Sequence, residues 1–228
     1  THFCNATGLP AEGHVTSAYD IALMSRELIQ SHPDIRQYTT IWMDSLRGGA
    51  SSLVNTNRLI RTYEGATGLK TGSTDSALYC LSATAERDGM ELIAVIMKGA
   101  TSAQRFTDAQ TLLNYGFSSY ALKDVVPEAV LPPVSVSLGT QATVQPVLGE
   151  DTHLLLEKAL AGDLRQAVSL PESLEAPVAA GEPIGTLIVT SGSGETVAEL
   201  PLLAGEEVPR ITFVQMLLRV LQAAFLSA

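Results

Sequence analysis

Gly68-Leu69-Lys70-Thr71-Gly72-Ser73-Thr74-Asp75, followed closely by Ala77-Leu78-Tyr79-Cys80-Leu81-Ser82-Ala83-Thr84-Ala85, is the stretch on which the reading of this chain turns. A cation, a hydroxyl and a residue without a side chain stand in succession ahead of an apolar run. That order suits a strand that grips a carboxylate. Lys70 supplies positive charge, Thr71 can donate a hydrogen bond to the same anion, and Gly72 lets a ligand backbone lie against the strand edge. By itself the triplet is weak, since average composition produces it by chance in roughly a few per cent of chains this long.

Downstream, residues 77–84 and 91–97 read as two strands. They are joined by Glu86-Arg87-Asp88-Gly89, whose Asp-Gly is a hairpin signal, so the strands are expected to lie antiparallel and adjacent. Between Ala103 and Tyr120 the apolar Phe106, Ala109, Leu112, Leu113 and Phe117 recur at helical spacing, with Gly116 expected to mark the end. Upstream, residues 17–31 place Ile21, Met24, Leu28 and Ile29 on one helix face, with Thr16 or Ser17 as N-cap and His32-Pro33 as the stop. Residues 44–67, rich in Gly, Ser, Asn and Thr, show no sustained period and read as loop.

The texture changes near residue 124, where prolines and short apolar runs replace helical spacing: 130–138, 143–147, 184–190 and 196–202. The last two flank Ser191-Gly192-Ser193-Gly194, which reads as a hairpin loop; a phosphate cradle would need a following Lys and helix. The domain plan is therefore residues 1–123, a small β-rich module at 124–207, and a terminal helix at 208–228. That helix carries Ile211, Val214, Leu217, Leu218, Leu221 and Phe225 against a narrow polar stripe of Thr212, Gln215, Arg219 and Gln222. Its wide apolar face suits the interface of a membrane better than a crossing. The competing reading is a helix docked on its own protein.

Composition narrows the function. With 228 residues, 46% of them hydrophobic, the chain can fill a core, and disorder is excluded. A net charge of −10 excludes a nucleic-acid partner. His2, His14, His32 and His153 are scattered without metal-ligand spacing, no Gly-x-Ser-x-Gly elbow occurs, and nothing calls for a cofactor. Cys4 and Cys80 are expected to be small buried hydrophobes more readily than a disulfide.

Taken with its flanks, the Lys70 segment resembles the low-molecular-weight penicillin-binding proteins that act as serine D-alanyl-D-alanine carboxypeptidases. Thr1-His2-Phe3, Gly8-Leu9, Ser17-Ala18-x-Asp20-x-Ala22-Leu23, and Arg105 ahead of Leu112-Leu113-x-Tyr115-Gly116-Phe117 match the same family. The resemblance runs from residue 1 to about 120, and the β module and amphipathic terminus match the family's C-terminal part. It implies an α+β fold, namely part of a penicillin-binding/β-lactamase-like transpeptidase domain, an all-β sandwich-like domain and the terminal helix. It also implies hydrolysis of the terminal D-Ala of peptidoglycan stem peptides through an acyl-enzyme, β-lactam antibiotics as ligands, and a role in cell-wall synthesis and cell shape. The location it implies is the outer face of the bacterial cytoplasmic membrane. Lys70, Thr71 and Gly72 would be the catalytic-motif residues, with Lys70, Thr71, Ser73 and Arg105 binding substrate.

The family's other two motifs are absent from the 228 residues. No serine stands three before Lys70, Lys98, Lys123 or Lys158, and none stands two before Asn5, Asn55, Asn57 or Asn114. Both motifs lie upstream in the family, so the expectation is a C-terminal two thirds of an enzyme, inactive alone. Ser73 occupies a position where some relatives carry His, and Thr56 lies near one where some carry a basic residue. A non-catalytic binding relative or fragment is the alternative, and a class A β-lactamase a weaker one.

Overall fold

The computed structural model describes residues 1–149 and 152–226, and side chains up to Gln222. The chain divides into two compact units, Thr1–Ala121 and Leu122–Ala228.

In the first unit, helix α1 (Ala18–Ser31) starts at Ser17, whose hydroxyl accepts the Asp20 N–H at 3.1 Å, and stops at His32. Helix α2 (Arg36–Thr39) follows, then strands β1 (Met43–Leu46) and β2 (Ser51–Val54), then helix α3 (Leu59–Thr62). Strands β3 (Ala66–Thr74), β4 (Leu78–Arg87) and β5 (Met90–Gly99) make an antiparallel sheet in the order β3-β4-β5, and helix α4 (Ser102–Ser119) closes the unit. The β4–β5 turn works as its residues demand: Asp88 (φ 51°) and Gly89 (φ 75°) both take the left-handed conformation that matches strand twist.

Side-chain alternation gives this sheet two covered faces. Leu81, Ala83 and Ala85 of β4 share a face with Leu92, Ala94 and Ile96 of β5, and α4 packs there. Ser82 and Thr84 point to the other face, where the Ser82 hydroxyl meets Ser25 of α1 at 2.7 Å.

Several expectations for this unit are corrected. Residues 44–67 are not all loop: β1 and β2 pair around Gly48 and Gly49, but every β1 residue is exposed, so burial imprints no alternation on the sequence. Gly116 does not end α4. It lies inside the helix because a Cβ there would come within 2.5 Å of Leu92 Cδ1, so the glycine permits close helix–sheet approach. Leu112 is exposed, and the buried stripe is Phe106, Ala109, Leu113 and Phe117. Met24 is exposed as well; the inward position of α1 is Ser25, whose hydroxyl bonds to the Ile21 carbonyl at 2.7 Å. Both cysteines are free, and Cys4 is exposed.

After β6 (Tyr120–Asp124), the second unit is built from β7 (Val134–Ser137), β8 (Thr143–Val144), β9 (Pro146–Leu148), β10 (His153–Glu157), β11 (Leu164–Ser169), β12 (Ser173–Glu175), β13 (Pro183–Ser191) and β14 (Thr196–Ala204). A four-stranded sheet runs β11-β13-β14-β9 and a three-stranded one β12-β7-β8. Leu187 and Val189 of β13 and Leu200 and Leu202 of β14 recur at period two and bury one core. Val134, Val136, Val144, Ile184 and Val208 bury another. Residues 191–194 form the hairpin loop between β13 and β14 as read. Strands β6, β10, β11 and β12 escape the sequence reading because they are three to six residues long and, of their residues, only Leu156 is fully buried, so burial imprints no period on them. Helix α5 (Phe213–Leu226) ends the described chain.

Candidate active site

Strand β3 sits at the edge of its sheet: among the described residues it pairs with β4 alone. Its outer side carries no described strand, and the residues on it include Lys70, Thr71, Gly72 and Ser73. In register, Lys70 lies opposite Ser82, Thr71 opposite Leu81 and Gly72 opposite Cys80. A Cβ placed on Gly72 would meet nothing within 4 Å. Internal packing therefore does not demand glycine there, whereas close approach of another backbone would.

The segment that leads into this edge is tied down from several sides. Thr39 Oγ1 donates to the Thr67 carbonyl at 2.6 Å. The buried Asn57 donates through Nδ2 to the Gly68 carbonyl at 2.7 Å and accepts the Leu59 N–H at 3.2 Å. Thr67 Oγ1 lies 2.7 Å from Thr84 Oγ1 and 2.8 Å from Glu91 Oε1. Glu91 in turn pairs with Arg36, and that carboxylate holds the Arg36 guanidinium above its ordinary pKa. Gly68 itself would bring a Cβ within 3.2 Å of both Thr39 and Thr84, so a side chain there would push the strand off these anchors.

Lys70 is exposed, donates to the Thr71 carbonyl and takes part in no ion pair among the described residues. It borders a cavity of about 1010 Å³ with Thr71, Gly72, Ser73, Ser82 and the loop around Asn5–Leu9. Lys70 and Lys98 line this cavity and no carboxylate does, which in a chain of net charge −10 marks a local site for an anion. Thr71 is half-buried, and its hydroxyl lies 2.6 Å from Thr56 Oγ1. Ser73 is exposed and makes no side-chain hydrogen bond among the described residues.

Arg105 lies in the first turn of α4, which Thr101 caps by accepting the Gln104 N–H at 3.1 Å. It is 7% exposed, and its Nη1 donates to the Gly72 and Cys80 carbonyls, each at 3.2 Å. The guanidinium also stacks against Phe106 (4.8 Å) and Tyr79 (5.5 Å), and burial lowers its pKa. The structure thus brings Arg105 to the Lys70-Thr71-Gly72 strand, but on its main chain, where it locks Gly72 to Cys80. Nε is buried without a partner.

Among the described residues no serine beside β3 is hydrogen-bonded to a base. Ser82, opposite Lys70, is 6% exposed. Ser25 gives its proton to the Ile21 carbonyl, so Ser82 must give its own to Ser25, and both hydroxyls are committed with no base attached. Sequence reasoning missed the roles of Asn57, Thr39 and Glu91, which carry no motif and are recruited from 11 or more residues away by packing.

The model of the D-alanyl-D-alanine carboxypeptidase family matches residues 1–101, and that of the penicillin-binding protein 5 C-terminal domain matches residues 123–210. In this order the two parts are similar to the peptidase and C-terminal domains of the low-molecular-weight penicillin-binding proteins, the serine D-alanyl-D-alanine carboxypeptidases. It is 34% identical over 224 residues to the D-alanyl-D-alanine carboxypeptidase DacF of Bacillus subtilis, covering 96% of this chain and 57% of that protein. DacA of Escherichia coli is 29% identical over 218 residues, 93% of this chain and 53% of the relative. Penicillin-binding protein 5 of Haemophilus influenzae shares the fold at a TM-score of 0.74 and 24% identity, over 92% of this chain and 61% of that one. The chain therefore spans little more than half the length of the curated relatives it matches. Its architecture is the α+β arrangement expected from the sequence, with the all-β module after the peptidase-like part.

Proposed function

We propose that this chain is the carboxylate-gripping part of a penicillin-sensitive D-alanyl-D-alanine carboxypeptidase that trims the terminal D-Ala from peptidoglycan stem peptides. The observation that carries the reading is the free edge of β3, which presents an unpaired Lys70 and the Thr71 hydroxyl beside a cavity without carboxylates. A peptide laid antiparallel or parallel to this edge completes its main-chain hydrogen bonds, while its terminal carboxylate meets a cation and a hydroxyl. In the whole enzyme a serine Oγ forms a bond to the penultimate carbonyl carbon and the peptide C–N bond breaks. D-Ala leaves with a proton on its amine, and water then hydrolyses the ester. Neither that serine nor its base is among these 228 residues. The grip of β3 is their contribution. β-Lactam antibiotics, which also carry a carboxylate beside a reactive carbonyl, fit the same edge. Arg105 serves by holding Gly72 in place, and Ser73 by bordering the anion.

The test is Lys70→Ala in the longest natural chain that contains these residues. Labelling by a fluorescent penicillin should fall at least a hundredfold; undiminished labelling refutes the role. That Ser25 and Ser82, the buried serines beside β3, are committed to each other with no base attached favours, as a second reading, a non-catalytic wall-binding relative, which would leave the parent protein unlabelled.

We further infer that α5 rests on the outer face of the bacterial cytoplasmic membrane. Support comes from its orientation: Arg219 donates to the Gly139 and Thr140 carbonyls of the β module, while Phe213, Val214, Leu217, Leu218 and Val220 remain exposed. Its 14 residues span roughly 21 Å, less than the roughly 30 Å of a hydrocarbon core, and no described helix is long and apolar enough to cross. Removing residues 209–228 should abolish co-sedimentation with phospholipid vesicles; undiminished sedimentation refutes it.

A further inference from the structure

Thr71 has one hydroxyl proton and two candidate acceptors for it. Thr56 Oγ1 lies 2.6 Å from Thr71 Oγ1, and either oxygen could donate across that contact. A carboxylate bound at the β3 edge accepts hydrogen bonds and offers none. If Thr71 gave its proton to Thr56, it would present the anion with a lone pair. Recognition of a carboxylate therefore requires the opposite polarity, with Thr56 donating to Thr71 and Thr71 donating outward.

Thr56 is built to hold that place. Its two neighbours are clamped. Asn55 Nδ2 donates to the Ile41 carbonyl at 2.9 Å and the Thr39 carbonyl at 3.2 Å, and Asn55 Oδ1 accepts the Asn57 N–H at 2.9 Å. Asn57, 3% exposed, ties the other side to the Gly68 carbonyl two residues ahead of Lys70. The main chain at Thr56 is thus fixed to the elements before and beneath β3, while the Thr56 side chain itself stays at the surface beside the cleft. Among the described residues its hydroxyl has one partner, Thr71.

We propose that Thr56 is a positioning residue for carboxylate recognition: its hydroxyl sets the direction in which Thr71 donates, and so selects ligands that end in a free carboxylate. This rests on the carboxypeptidase reading of the β3 edge and deepens it. A hydroxyl relay beside Lys70 makes the grip directional, because the anion must lie where the Thr71 proton points and not merely near positive charge.

The experiment uses the longest natural chain carrying this segment and two acylating probes, a fluorescent penicillin and the same molecule with its carboxylate masked as a methyl ester. The readout is the ratio of their second-order acylation rates, which is independent of the fraction of protein that is folded. Thr56→Val, which keeps the shape and removes the hydroxyl, should lower the acid-to-ester ratio about fivefold, the factor that one hydrogen bond of ordinary net strength commands. Thr56→Ser should restore it. An unchanged ratio in Thr56→Val, or a Ser variant as impaired as the Val variant, overturns the proposal while leaving the carboxypeptidase reading intact. A parent protein that neither probe labels overturns that reading, and the role of Thr56 with it.

Discussion

Asn57 gives the sharpest test of how the Lys70 strand is held. It is 3% exposed and serves two buried main-chain groups at once, the carbonyl of Gly68 and the N–H of Leu59. Replacing it with Ala strands both. An unsatisfied buried polar group costs about 1–3 kcal/mol, and water entering the vacated space recovers part of that, so Asn57→Ala should destabilise the unit by roughly 2–4 kcal/mol. Asn57→Asp separates the two bonds. It keeps the acceptor for Leu59 but turns the donor into an oxygen facing the Gly68 carbonyl, and it buries a charge. At neutral pH it should therefore cost at least as much as Ala. Burial disfavours the charged form and raises the new carboxyl's pKa, so its proton binds more tightly in the folded chain. Stability of this variant should then rise as pH falls through that raised value, because the protonated acid can again donate to Gly68. Equilibrium urea unfolding followed by tryptophan fluorescence is the assay, since the one tryptophan, Trp42, lies in the same unit and donates no signal from the other. With a urea slope of about 1–3 kcal/mol per molar, the Ala midpoint should drop by on the order of 1 M. A midpoint shift under about 0.2 M, or an Asp variant more stable than the Ala variant at neutral pH, would show that Asn57 does not hold the strand.

Gly65 takes φ 79°, and a Cβ there would collide with the Glu86 carbonyl, so Gly65→Ala should cost about 2 kcal/mol or more in the same urea titration; an unchanged midpoint would show that the turn into β3 is free to move. Burial raises the phenol of Tyr63, which donates to Asn114 Oδ1 at 2.8 Å, above its ordinary value of 10.0. The folded chain then holds that proton more tightly than the unfolded one. Its contribution is complete below pH 10 and is lost as pH rises through the raised folded value. Tyr63→Phe should flatten that part of the alkaline unfolding profile, and an unaltered slope would count against a buried phenol.

The strands and helices that carry the fold were legible where burial or turn chemistry leaves a mark. Helix α4 and the β13–β14 hairpin at 191–194 each bury one face against a core, and the three-four spacing or alternation of their apolar residues records it, whereas the β4–β5 hairpin, covered on both faces, is recorded by its apolar runs and by Asp88-Gly89. The β1–β2 hairpin is exposed on both faces, and strands β10 to β12 pack little, so no such record exists for them. Gly116 misled because a glycine wanted for close approach and a glycine wanted for a helix end look alike in one dimension. The exposed Met24 and the buried Ser25 show the same limit, since a hydroxyl paired across 57 residues can replace an apolar side chain on the inward face.

By itself the sequence determined the chemistry of the β3 edge. Lys70, Thr71 and Gly72 are neighbours in the chain, and their charge, donor and missing side chain need only an extended backbone to stand side by side. It also determined that Ser-x-x-Lys and Ser-x-Asn are not among these 228 residues, because a motif defined by spacing is either present or not. Tertiary structure alone decided what surrounds the edge: that Arg105 faces the main chain of Gly72 and Cys80, that Asn57 reaches Gly68, and that Thr56 meets Thr71. Those partners lie 11 to 33 residues apart, and strand register and helix packing, which arise from the whole core, choose among the many contacts that the same side chains could make.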